Sequence, residues 1–63
     1  MDDAVFKAIE RTGNPEKIEF ARKEIAIARL NAEKNKGMVR KLLHTQANEW
    51  ERRLNKAIED QGK

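Results

Sequence analysis

His44 is the one side chain in these 63 residues whose ordinary proton exchange falls near neutral pH. One turn to either side of it on a helix stand Arg40 and Asn48. Neither activates an imidazole as a base or completes a metal site with it, so a solvated histidine on a polar flank is the expectation. The hydroxyl nucleophiles are Thr12 and Thr45, because the chain has no serine, cysteine or tyrosine. Thr45 follows His44 directly, which sets the two about 100° apart around a helix instead of facing each other. Glu49 and Glu51 have Arg52 and Arg53 beside them and read as surface charge, with no isolated carboxylate pair on an apolar wall whose pKa would be raised. No glycine-rich phosphate loop is present. These residues predict no catalytic centre, no cofactor and no metal site: a protein that binds, and not an enzyme.

Charge points to one place where binding is plausible. Lys34, Lys36, Arg40 and Lys41 occur in a stretch that holds no acid through Asn48, although the whole chain carries only +3. With His44 adjoining and Arg52 and Arg53 further along, these residues are candidate contacts for phosphate or another anion. The alternative is a solvated corner in which Lys34 and Lys36 complement the carboxyl end of a helix. Binding of nucleic acid by base stacking needs exposed aromatics, and Phe6, Phe20 and Trp50 all read as core or interface. A helix-turn-helix over residues 3–35 lacks a polar recognition face at the start of its second helix.

The elements that position these residues are helices. The chain has one proline, three glycines and no β-branched run of strand length. Asp2 or Asp3 can cap a first helix over about 3–12, closed by Gly13. Asn14-Pro15-Glu16 reads as N-cap, first-turn proline and first-turn acid for a second helix over about 15–35. A third helix over about 38–60 follows Gly37, and Gln61, Gly62 and Lys63 are expected to fray. All this is one domain.

On the second helix Ile18, Ala21, Ile25, Ala28 and Ala32 recur at three- and four-residue spacing and form one stripe. Phe20 and Ile27 lie on nearly the opposite side, with Leu30 at the flank. A helix with two apolar faces touches two neighbours. The third helix has one apolar stripe through Val39, Leu43, Ala47, Trp50, Leu54, Ala57 and Ile58, with Leu42 at its edge. Folding back at Gly37 would pair Ala32 with Leu43, Ala28 with Ala47, Ile25 with Trp50, Ala21 with Leu54 and Ile18 with Ala57. Small residues would mostly face large ones. The expected fold is therefore all-α: a short N-terminal helix and a long antiparallel helical hairpin, dimerising into a bundle. The competing reading is one continuous helix through Gly37 forming a coiled-coil dimer, since an interior glycine costs only about 1 kcal/mol.

So short a chain without cysteine lacks disulfides and thiolate metal sites to supplement its core, which favours self-association. Candidate dimer or partner contacts are Phe20, Ile27, Leu30, Val5, Phe6, Ile9 and Trp50. The chain is expected to be cytoplasmic and homodimeric, with no membrane span. It is expected to act as a small regulatory or adaptor protein that binds another protein through a helical surface. Nucleic-acid binding by the basic segment and a structural assembly role are the alternatives. In architecture the hairpin dimer resembles the small plasmid-encoded bundle that binds paired RNA hairpins. The resemblance is one of shape, carried by no motif, and its size matches regulators carried by phages and plasmids.

Overall fold

The computed structural model describes residues 1–61 and is all-α, with helices α1 (Asp3–Thr12), α2 (Pro15–Glu33) and α3 (Gly37–Asp60). Of the residues expected to fray, Gln61 forms a turn in which its N–H donates to the Ile58 carbonyl at 3.3 Å, and Gly62 and Lys63 lie outside the described residues. Asp2 occupies the N-cap position of α1 without a capping hydrogen bond from its side chain. Gly13 ends the helix in the left-handed conformation (φ 62°), its N–H donating to the Ile9 carbonyl at 2.8 Å. The next start is stronger. The Asn14 side chain accepts a hydrogen bond from the Glu16 N–H at 2.9 Å, and Pro15 supplies a first residue whose missing N–H needs no partner.

α2 ends at Glu33, two residues before the expected boundary, because its last turn tightens. The Lys34 N–H is shared between the Leu30 and Asn31 carbonyls, and the Asn35 N–H donates to Ala32. The Asn35 side chain then donates to the Asn31 carbonyl at 2.7 Å. Gly37 takes a positive φ of 66° and begins α3 one residue before the expected start.

α2 and α3 pack side by side, and cross-helix bonds fix their sense. Glu33 meets Arg40 and His44, while Arg29 meets Asn48 and Glu51, so residue numbers rise on α3 as they fall on α2. Between the helices Ala21, Ile25, Ala28 and Ala32 of α2 and Ala47, Leu54 and Ala57 of α3 are buried. Ile18, Trp50 and Ile58 pack half-buried at the margin of this core. Five of those seven buried residues are alanine, so the two backbones approach closely but contribute little apolar bulk.

α1 supplies the bulk. Phe6 and Ile9 are its two fully buried side chains, and both belong to the core formed with α2 and α3. They therefore do not stand free as interface residues, as expected above, and Val5 packs half-buried against the same core. A second departure concerns Val39 and Leu42. Both were assigned to the apolar stripe of α3, and both are exposed, along with Met38. The cause is where α2 stops: it ends at Glu33 and α3 begins at Gly37, so little of α2 lies beside the start of α3, although Arg40 still reaches Glu33. The molecule measures 41 × 17 × 15 Å.

Both left-handed glycines resist a side chain, for different reasons. A Cβ on Gly13 would overlap the Gln61 side chain, whereas one on Gly37 would meet nothing within 4 Å. Gly37→Ala should cost about 1 kcal/mol from backbone strain alone, and Gly13→Ala more, towards about 2 kcal/mol. Denaturant unfolding of the two variants beside the parent checks the order; equal losses would mean that Gln61 moves aside freely.

Candidate functional site

The basic segment folds into a corner at the α2–α3 loop, and there it acquires an acid that the local sequence does not show. Glu33 reaches across from the last turn of α2. Its carboxylate accepts from the Arg40 guanidinium at 2.9 and 3.2 Å and lies 3.1 Å from His44 Nε2. Looking one turn along its own helix finds no carboxylate for His44; the partner comes from the other helix, eleven residues earlier. The imidazole is thereby held by one carboxylate and has no hydroxyl set against it. Thr45 Oγ1 donates to the Lys41 carbonyl at 2.9 Å and Thr12 Oγ1 to Ala8 at 2.8 Å, each bonded into its own helix. Among the described residues no three His, Asp or Glu side chains come together as a metal site.

The other candidate cations divide in the same way. Arg53 pairs with Asp3 at 2.7 Å, and its guanidinium lies 4.4 Å from the centre of the Phe6 ring. It therefore ties α1 to α3, and its charge is not free for an outside anion. The same pairing holds the exposed Asp3 carboxyl below the usual carboxylate range, through the hydrogen bond and then the charge of Arg53. Lys34, Lys36, Lys41 and Arg52 are exposed, and among the described residues none of them has an ion-pair partner in the chain. Of the seven predicted anion contacts, Arg40, His44 and Arg53 are thus engaged internally, and four cations remain.

Farther along the same face, Arg29 donates to Asn48 at 3.0 Å and to Glu51 at 2.9 Å. Arg29 and Glu51, with Arg22, Ile25 and Leu54, line an open groove between α2 and α3. The groove has a polar rim and an apolar floor but carries no nucleophile or unpaired acid–base group.

The large exposed apolar side chains form two sets. Phe20, Ile27 and Leu30 occupy the outer side of α2, exposed by 46, 49 and 62%. Met38, Val39 and Leu42 lie within the first two turns of α3, where Met38 is 80% exposed. The sequence places the first set outward through its phase on α2. The second set was missed, because its phase alone assigns Val39 to the inner stripe and only the end of α2 shows that nothing covers it. Among the described residues no helix is long and apolar enough to cross a membrane.

Comparison with protein-family models, with curated proteins and with solved structures finds no match for this chain.

The Arg53 contacts make a pH-dependent prediction. Because the folded-state pKa of Asp3 is depressed, its pairing stabilises the docked α1 above the unfolded-state pKa. That contribution disappears as pH falls through the lower, folded-state value. In an NMR titration the Asp3 carboxyl should show a midpoint below the model-peptide value, returning to it in Arg53→Ala. An unchanged midpoint in the variant would mean that Arg53 does not hold α1.

Proposed function

We propose that this chain is a non-enzymatic regulator or adaptor that binds another protein through its helical surface. In this reading it is a helical hairpin with α1 laid along one face, it works in the cytoplasm, and it associates with a second copy. The observation that carries the reading is the cap of exposed Met38, Val39 and Leu42 at one end of the molecule. A rod-like molecule of this size exposes large apolar side chains at a cost in solubility, and their clustering within two turns marks a contact surface. Lys34, Lys36 and Lys41 lie close to them in the chain, all exposed. An apolar centre with a cationic rim fits an amphipathic helix or short segment that presents apolar side chains flanked by Asp or Glu.

The engagement of Arg40, His44 and Arg53 by carboxylates of the chain favours this reading over a nucleic-acid surface. Phosphate binding draws on unpaired cations, and the corner has fewer of them than the sequence suggests.

Capture of partners by the parent chain and by M38E/L42E tests the proposal, with any partner then purified and titrated against both. Affinity should fall about tenfold or more in the variant, as for loss of a central apolar contact, while helical content stays unchanged. A partner that binds both chains equally would refute the apolar cap as the binding site. Binding of duplex DNA or structured RNA that weakens steeply with salt and is lost in R40E/K41E would replace this function with a nucleic-acid one.

A further inference from the structure

The outer side of α2 carries more than three apolar residues. Glu16, Phe20, Lys23, Ile27, Leu30 and Lys34 follow one another at alternating four- and three-residue spacing, the repeat that keeps one seam of a helix facing a partner helix. Every one of the six is exposed. Among the described residues Glu16, Lys23 and Lys34 have no ion-pair partner within the chain. The seam lies away from the alanine stripe that faces α3, so it is free for a further helix. Its order is directional: an acid at the amino end, a base just past the carboxyl end, and apolar residues between.

We infer that this seam pairs with the same seam of a second copy, with the two α2 helices antiparallel about a two-fold axis at the level of Ile25. This inference rests on the self-association included in the proposed function and specifies its geometry. In that register Glu16 faces Lys34 of the second copy, Phe20 faces Leu30, and Lys23 faces Ile27; the two-fold axis repeats each layer. The Lys23 stem covers Ile27 while its ammonium reaches water. On one flank Ala26 meets Ala26, which lets the helices close. The cost lies in like charges on both flanks: Glu24 meets its own copy on the other, and Glu19 faces Glu33 beside the alanines, where Arg40 of the same chain already pairs with Glu33. A parallel pairing has no compensating advantage, since it opposes Glu16 to Glu16, Lys23 to Lys23 and Lys34 to Lys34, and brings Glu19 against Glu24. Charge therefore selects the antiparallel direction.

The exposed area leaves room for an interface between two copies. A compact monomer of 7.3 kDa exposes about 4200 Å² by the usual scaling with mass. This chain exposes 4902 Å². The excess of roughly 700 Å² is close to the ~800 Å² that one partner contributes to an interface of standard size.

Sedimentation equilibrium at low salt tests the pairing, using the full chain, E16K, K34E, E16K/K34E and F20E/I27E. The parent should be a dimer and F20E/I27E a monomer. Each single charge reversal should raise the dissociation constant by about tenfold, two symmetric pairs being converted to repulsions. The double reversal should return it towards the parent value, because the pairs are restored with their signs exchanged. A parent chain that stays monomeric at all concentrations overturns the inference, as does a dimer indifferent to F20E/I27E. A dimer that depends on Phe20 and Ile27 but ignores the single reversals overturns the antiparallel register. A parent chain that stays monomeric yet binds a protein partner that M38E/L42E fails to bind would overturn this inference and leave partner binding through the Met38 cap standing.

Discussion

The distance between α2 and α3 is set by alanine, and most of the molecule follows from that. Ala21, Ala28 and Ala32 on one helix and Ala47 and Ala57 on the other let the backbones come close, with Ile25 and Leu54 as the larger side chains between them. Close approach gains dispersion contacts and excludes water, but each alanine buries little apolar area. Two helices joined in this way hold too little core for a stable domain. α1 supplies part of what is missing by inserting Phe6 and Ile9, and Arg53 fixes it through Asp3 and the Phe6 ring. Because α1 has 10 residues against 19 and 24, it covers only part of the pair.

Charge in this chain is used first to hold helices together. Arg29 with Asn48 and Glu51, and Glu33 with Arg40 and His44, bridge α2 and α3 along one face. Each is a surface contact, modest in energy because water screens it. Their value is positional, since a slide of one helix past the other would break both sets at once. The same pairing reduces the positive field at the corner. A segment with no acid for fifteen residues is therefore less cationic in space than in sequence, because Glu33 comes before the segment begins and folds onto it.

Much of the architecture was legible in local chemistry. Asn14-Pro15-Glu16 marks a helix start by satisfying an N–H and omitting another, and Gly13 marks a stop because its φ excludes most side chains. The three- and four-residue spacing of Ala21, Ile25, Ala28 and Ala32 located a face that is buried throughout. What spacing does not encode is where a neighbouring helix ends. Val39 shares the phase of the inner stripe, yet it is exposed because α2 has already stopped. Phe6 and Ile9 were equally suited to an outer interface and an inner one, and only the turn at Gly13 decides that α1 folds onto its own chain. The Glu33–His44 contact was out of reach for a related reason: it joins residues on different helices, and its detection requires the register between them.

Apolar residues are thus sorted into three sets with different surroundings. The first, centred on the alanines, Phe6 and Ile9, is closed within the chain. Met38, Val39 and Leu42 are exposed with lysines nearby in the chain, and in the proposed function such a surface would tolerate many apolar shapes but prefer acidic neighbours. The seam of Phe20, Ile27 and Leu30 is different, since charged residues hold three of its six positions. Replacing Glu16, Lys23 and Lys34 by leucine would bury more area in a pair of such seams, yet would let them meet in either direction and at several registers. Charged layers lower the attraction of the seam for apolar surfaces in general, and they restrict what it accepts to a surface with the opposite charge order. The reversed seam of a second copy has that order, so in the inferred pairing the residues that weaken this face as a general adhesive would be the ones that give it a specific partner.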